Sequence, residues 1–212
     1  MAKGTLIAAM DFSTVNTGEF HDWYDTEHLP ERVRIPGFLT GRRWIGADDP
    51  KISLVPYDLS DVTVLDEPGY RAIGGANLSP WSKRIVGRTK SVLRFEGVQT
   101  SPGDAVAPAG AGGLLLVAMT PGAAKDAAFN AWYDNEHLPA LAAVPGVLSA
   151  RRFRSRQGSG SKYVALYHLR APGVVDSAEW KHASASTPMP QDVRDTITDR
   201  VRLVCRPYER AA

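Results

Sequence analysis

An internal repeat constrains this chain more than any other feature of its sequence. The block FHDWYDTEHLP at 20–30 returns as FNAWYDNEHLP at 129–139. The Pro-Gly at 36–37 and the Arg-Arg at 42–43 return at 145–146 and 151–152, and about half of the residues in this stretch are identical. A repeat at fixed spacing indicates one supersecondary unit used twice. Any fold proposed for the chain must therefore hold two related halves.

The segment between the two copies is rich in Gly, Ala and Pro. These residues cannot bury enough apolar surface to offset the entropy lost on ordering, so the composition is typical of a linker. We predict a first unit at 1–100, a linker at 101–111 and a second unit at 112–212.

Each unit has the pattern strand, helix, strand, strand, helix, strand. In order, the predicted strands are 6–10, 38–45, 52–59 and 91–98, then 114–119, 147–154, 163–169 and 200–208. The first helices follow Asn16 or Thr17 and Pro121, and they should end near Leu29 and Leu138, because a residue before proline avoids helical geometry. His168 is expected to be exposed. This order predicts an α+β fold of two tandem ferredoxin-like βαββαβ units, pairing as an intramolecular dimeric α/β barrel.

The composition excludes several classes of protein. The formal charge is +2, from 25 Lys and Arg against 23 Asp and Glu, so we expect no nucleic-acid partner. One cysteine, Cys205, cannot build a disulfide framework or a cysteine zinc site. No run approaches the roughly 20 apolar residues of a membrane helix. We therefore expect a cytoplasmic protein without a membrane partner, and we expect no metal and no cofactor, since nucleotide-binding motifs are missing from the sequence.

The repeated helix block carries the candidate catalytic groups. Tyr24 and His28 stand four residues apart, with Glu27 beside them. His moves protons near neutral pH, Glu can tune it, and Tyr can donate a hydrogen bond to a developing oxyanion. The second copy repeats the set as Tyr133, Glu136 and His137. The block also has a structural interpretation, in which the histidines satisfy carbonyl groups at the helix end.

Further residues are candidates for substrate binding. One arginine of each Arg-Arg pair can orient a carboxylate, which points to Arg42, Arg43 and Arg151. Trp23 and Trp132 are candidates on the same helices, although an aromatic stripe more often anchors a helix to its sheet. Glu27 can equally form a scaffold salt bridge with Arg42 or Arg43, and Asp25 a local hydrogen bond.

The motif Trp-Tyr-Asp-x-Glu-His-Leu-Pro, followed by Pro-Gly and Arg-Arg, resembles the EthD-like branch of the dimeric α/β-barrel superfamily. The resemblance covers both halves and is strongest at 20–43 and 129–152. It implies that His28 and His137 are the site residues. Relatives include muconolactone isomerases, polyketide cyclases, cofactor-free monooxygenases, decarboxylases and heme-binding enzymes. Those relatives are often homodimers of single units, whereas this chain supplies both copies as a pseudo-dimer, and a further homodimer stays open.

The predicted function is a cofactor-independent lyase, isomerase or decarboxylase acting on a small cyclic or aromatic substrate. His28 or His137 would move the proton in that reaction. Two alternatives stay open at this point: a non-catalytic small-molecule-binding or accessory protein, and a cofactor-free monooxygenase. The copies diverge after the histidine, where Glu31-Arg32-Val33-Arg34 becomes Ala140-Leu141-Ala142-Ala143. The two halves therefore need not do the same work.

Overall fold

The computed structural model describes residues 2–158 and 160–210. Within them the strands are β1 (Gly4–Asp11), β2 (Phe38–Gly41), β3 (Trp44–Gly46), β4 (Ile52–Leu59), β5 (Lys90–Ser101), β6 (Gly113–Thr120), β7 (Val147–Ser155), β8 (Tyr163–Leu169) and β9 (Thr198–Pro207). The α-helices are α1 (Thr17–Trp23), α2 (Leu29–Val33), α3 (Pro68–Arg71), α4 (Pro80–Val86), α5 (Asp126–Trp132), α6 (Leu138–Ala142), α7 (Ala178–Ser186) and α8 (Gln191–Arg194). Across these described ranges, every helix is too short or too polar to cross a bilayer.

The strands close into one barrel with eight strand positions. Their order is β1, β5, β7, β8, β6, β9, β3 and β4, and β4 pairs back onto β1. β2 and β3 share one position, since both pair with β4 on either side of Arg42 and Arg43. The halves join at two antiparallel seams, β5 with β7 and β3 with β9. The α+β class and the barrel are thus confirmed.

The helix that carries the repeated block does not end before its proline, so that prediction is wrong. α1 continues through a π-helical turn, Tyr24–His28, into α2, which contains Pro30. The Leu29 N–H donates to the Tyr24 carbonyl, which is the five-residue step of a π turn. The extra residue interrupts the hydrogen-bond ladder next to the position where proline lacks a donor. The second half repeats this arrangement through Pro139.

Among the described residues, three apolar cores stabilise the fold. Two lie between the barrel and the helices, one in each half, and contain Phe20 and Trp23 or Phe129 and Trp132. The third fills the barrel interior with side chains of both halves, including Phe95 and Phe153. Strands between these layers are covered on both faces.

His168 on β8 shows the effect of this layering. The sequence predicted an exposed residue, and that prediction is wrong, since His168 is only 1% exposed. It is buried because the side chains of the barrel interior cover the face of β8 on which it lies.

The segment predicted as a linker is tied to the barrel. The Ala107 N–H donates to Asp58 Oδ2 at 2.6 Å, and the Ala105 carbonyl accepts from Gln99 and Arg151. The Ala111 carbonyl accepts from Arg42 at 2.8 Å. These backbone groups bond to side chains of both halves.

Candidate functional site

Each half encloses a cavity between its helices and the outer face of its sheet. The first cavity, of about 380 Å³, is lined by His28, Arg32, Tyr57 and Tyr70 among others. The second cavity, of about 530 Å³, is lined by Trp132, Tyr133, His137, Leu141, Tyr167, Trp180 and Thr187 among others. Volumes of this size accommodate small organic ligands. Both histidines of the repeat therefore border open space.

His137 is held in a defined orientation in the second cavity. Its ring stacks on Trp132 with centroids 4.5 Å apart, and its Nδ1 lies 3.0 Å from Thr187 Oγ1. The Thr187 hydroxyl donates to the Ala183 carbonyl at 3.1 Å, so it accepts from the imidazole. Nδ1 then carries the proton, and Nε2 is left as the acceptor. Within the described chain Nε2 has no hydrogen-bond partner.

Burial lowers the pKa of His137 below its usual value of 6.5, although a hydrogen bond to the backbone of Thr187 opposes this effect. The imidazole is consequently neutral at pH 7. A neutral imidazole with a free Nε2 is chemically a proton acceptor.

Two tyrosines face the same cavity. The hydroxyls of Tyr133 and Tyr167 lie 3.1 Å apart and share one hydrogen bond. Burial raises the pKa of both phenols, most strongly for Tyr167. Both remain protonated at neutral pH, so the hydroxyl that accepts within the pair keeps its own proton for a ligand oxygen.

The lining of the second cavity is otherwise mostly apolar, with arginines among the exposed residues. Met119, Leu141 and Trp180 supply buried apolar surface. Three exposed arginines also line the cavity, Arg194, Arg200 and Arg202. No carboxylate is among the described residues that line it. The field at the cavity therefore favours a negatively charged ligand group.

The first cavity has a different polar pattern. His28 is 7% exposed, its Nδ1 is buried without a partner in the described chain, and its ring packs on Trp23 at 4.1 Å. Burial, followed by the charges of Arg32, Arg43 and Arg94, lowers the pKa of His28 well below 6.5. The hydroxyls of Tyr24 and Tyr57 are also buried, and neither forms a well-oriented hydrogen bond within residues 2–158 and 160–210.

The two glutamates of the block lie apart from the histidine rings. Glu27 Oε1 accepts from Ser79 Oγ at 2.5 Å and from Ser82 Oγ at 3.0 Å, and Ser82 also accepts from the Trp23 indole. Glu27 therefore holds α4 against the helix block. Glu136 is exposed to solvent. The structure does not bring either carboxylate to its histidine, because a π turn directs consecutive side chains apart.

The arginines predicted to bind substrate do not line either cavity, which corrects that expectation. Arg43 donates to Asp25 Oδ1 at 2.5 Å and Arg152 to Asp134 Oδ1 at 2.7 Å, so both tie the sheet to the helix block. Their second donors contact His21 Nδ1 and Asn130 Oδ1. Asp25 thus has the local bonding role considered above.

The other arginine of each pair bonds inside the barrel wall. Arg151 is fully buried and pairs with Asp58 at 2.7 Å, and Arg42 donates to the Ala111 carbonyl and covers Trp44. Of the two tryptophans, Trp132 lines the second cavity, whereas Trp23 is fully buried and lines neither.

Sequence reasoning missed three residues of these sites. Tyr167 aligns with Tyr57, and that alignment is the one pattern that could have indicated a paired phenol. Thr187 comes from a helix end that has no counterpart in the repeat. Arg32 is visible in the sequence only as a difference between the copies.

No cluster of three or more His, Cys, Asp or Glu side chains suited to a metal ion occurs in the described part of the chain. No family model matches the chain, and no curated protein matches it.

Solved structures do resemble it. One is an anthrone oxidase-like protein, at 11% identity and TM-score 0.67, covering 99% of this chain and 92% of that one. A putative monooxygenase from Fusobacterium nucleatum has 8% identity and TM-score 0.62, covering 98% and 93%. A mutant chlorite dismutase from Candidatus Nitrospira defluvii has 10% identity and TM-score 0.60, covering 98% and 91%. At these identities the likeness shows the fold alone.

Proposed function

We propose that this chain is a cofactor-independent enzyme in which His137 moves a proton on a small cyclic or aromatic substrate bound in the second cavity. The reaction class is that of a lyase, isomerase or decarboxylase. The observation that carries the proposal is the bond between His137 Nδ1 and Thr187, which fixes Nε2 as the acceptor beside a cavity of about 530 Å³.

The base chemistry follows from the state of the imidazole. Burial keeps His137 neutral at pH 7, so Nε2 is available to take a proton from an acidic C–H or O–H group. General base catalysis contributes about 10²- to 10⁴-fold. Stacking on Trp132 limits the motion of the ring, and such positioning of the base supplies a further part of the rate.

The phenols stabilise the product of that step. Removal of a proton next to a carbonyl or phenol places negative charge on the substrate oxygen. Tyr133 and Tyr167 offer a hydroxyl proton to that oxygen, and their mutual hydrogen bond fixes its direction before reaction. The exposed arginines around the second cavity favour the same charge.

A cofactor-free monooxygenase is a second candidate, because a substrate anion made by the same base can react with dioxygen. Two of the similar structures, a putative monooxygenase and an anthrone oxidase-like protein, favour this outcome. Proton abstraction is common to both candidates. Under a non-catalytic binding function, His137 would only position a ligand.

The experiment measures hydrogen–deuterium exchange at the acidic methylene of anthrone in D₂O by NMR, first under argon. We expect exchange faster than in buffer, and a loss of about 10²- to 10⁴-fold in His137→Gln. Thr187→Val, which removes the acceptor of Nδ1, should cost about 10-fold or more and alter the pH profile. His182→Gln, at an exposed histidine outside the second cavity, is the control.

The outcomes separate the candidates. Exchange that is no faster than in buffer, or equal rates in wild type and His137→Gln, contradicts catalysis and leaves a binding function. Oxygen uptake in air without added flavin or metal assigns the monooxygenase. A haem absorption band in the purified protein contradicts cofactor independence.

We also propose a family branch and a domain arrangement for this chain. The repeated block supports membership of the EthD-like branch and a tandem of two ferredoxin-like units at 1–100 and 112–212, joined by 101–111. The two seams between β5 and β7 and between β3 and β9 support a pseudo-dimer within one chain. A small-molecule partner and a cytoplasmic location belong to the same proposal.

A further inference from the structure

The position of Arg32 is one of the buried positions at which the two cavities differ. Arg32 in α2 lines the first cavity, and the equivalent residue of the repeat, Leu141 in α6, lines the second. Both side chains are buried, at 5% and 3% exposure. A guanidinium therefore replaces an isobutyl group on the wall of the first cavity.

Most of the donors of Arg32 lack an acceptor in the described chain. Its Nη1 donates to the His28 carbonyl at 2.8 Å. Within residues 2–158 and 160–210, its one ion pair is with Glu31 Oε2 at 3.8 Å, which is too long for a hydrogen bond. A guanidinium carries five N–H donors, and burying its charge without a close partner is costly. A ligand anion would provide the missing partner.

The other cation of the first cavity is already paired. Arg94 donates to Glu96 at 2.6 Å and to the Tyr70 hydroxyl at 3.3 Å. No carboxylate is among the described residues that line the cavity. The cavity thus offers one available positive charge, which suits a monoanion better than a dianion such as phosphate.

The remaining surface is suited to an apolar body. Leu6, Met10, Leu78, Val86 and Leu93 line the first cavity. The volume of about 380 Å³ is near the lower end of the range for ligand cavities. The chemistry indicated is a small hydrophobic acid.

We propose that the first cavity is a separate binding site for a small organic carboxylate, held in fork geometry by Arg32 with its apolar body against Leu6, Met10 and Leu93. Planar guanidinium and carboxylate groups match through two parallel hydrogen bonds. The site does not depend on the reaction proposed for the second cavity.

The test is calorimetric titration of the full chain with benzoate and with benzyl alcohol, its uncharged analogue. We expect benzoate to bind wild type at least about 10-fold more tightly than benzyl alcohol, as hydrogen bonds to a charged group imply. Arg32→Leu, which copies Leu141, should lose that preference while benzyl alcohol binding persists. Arg32→Gln should also lose the preference for benzoate. This second variant keeps the test decisive if Arg32→Leu does not fold.

The matched control is Arg202→Leu, which removes an exposed arginine from the second cavity and should leave benzoate affinity unchanged. Equal affinity of wild type for the two probes overturns the proposal. So does benzoate binding that survives in folded Arg32→Leu and Arg32→Gln, or that is lost in Arg202→Leu instead.

Discussion

The first half has Arg32 beside its cavity where the second half has Leu141, and Asp58 in its sheet where the second half has His168. The residues that stay the same include the ion pairs Arg43–Asp25 and Arg152–Asp134. Those pairs join sheet to helix and lie outside both cavities. Identity between the copies thus covers scaffold contacts such as these as well as the cavity histidines His28 and His137. The change from Arg32 to Leu141 is a difference on the cavity walls themselves.

The pair Arg151–Asp58 is a buried ion pair between the two halves, which the seams β5–β7 and β3–β9 also join. It crosses from β7 to β4, and its side chains are 0% and 2% exposed. Asp58→Ala leaves Arg151 buried without its charge partner, so we expect the free energy of unfolding to fall by about 3–5 kcal/mol. Urea denaturation measures this loss.

The exposed pair Arg156–Asp66 is the control for this experiment, since Asp66 is 49% exposed. Asp66→Ala should cost about 1 kcal/mol or less. If Asp58→Ala costs no more than this control, the pair does not hold the halves together.

His168 should make the second half sensitive to acid. Burial, then the charges of Arg151 and Arg42, lowers its pKa from 6.5 to about 3. Between those values the unfolded chain binds a proton that the native chain excludes, so stability is lost as the pH falls and is retained above 6.5. The contribution is about 1.4 kcal/mol per pH unit.

His168→Gln removes this contribution. We compare the free energy of unfolding at pH 7 with that at pH 4.5. The decrease between these two pH values should be about 2 to 3 kcal/mol smaller in the variant than in wild type. His182→Gln, at an exposed position, is the control. The interpretation is wrong if the His168→Gln chain loses as much stability as wild type.

The smallest expected difference concerns the two glutamates. Glu27→Gln weakens the bonds from Ser79 and Ser82, so we expect a loss of about 1 kcal/mol. Glu136→Gln alters an exposed group, so the stability of this variant should stay within about 0.5 kcal/mol of wild type. Thermal unfolding of the two variants makes the comparison, and equal effects would show that α4 is not held through Glu27.

The strands were predictable because their signals are local. β4 and β8 occupy the predicted ranges, since apolar and β-branched runs bounded by turn residues specify strands without reference to the rest of the chain. The predicted strand 38–45 breaks at Arg42 and Arg43, where the side chains turn to separate partners. The N-cap of α1 is Asn16, one of the two residues at which the sequence predicted the cap.

The site was less predictable because its contacts are distant in sequence. Spacing placed Tyr133 and His137 on one helix, but Thr187 and Tyr167 reach them from 50 and 34 residues away. Arg151 finds Asp58 across 93 residues. The repeat also makes Arg42 and Arg151 look equivalent in sequence. Their partners differ, because Arg151 pairs with Asp58, whereas the second half has His168 in place of that aspartate.

The seam between β3 and β9 has a consequence for synthesis of the protein. β9 is the last of the strands in the described residues, and it pairs with β3, which lies much earlier in the sequence. During translation the first half must therefore wait with an open sheet edge until the final strand emerges from the ribosome. Such an edge can pair with a second nascent chain, so the growing polypeptide is most prone to aggregation before its last strand is complete.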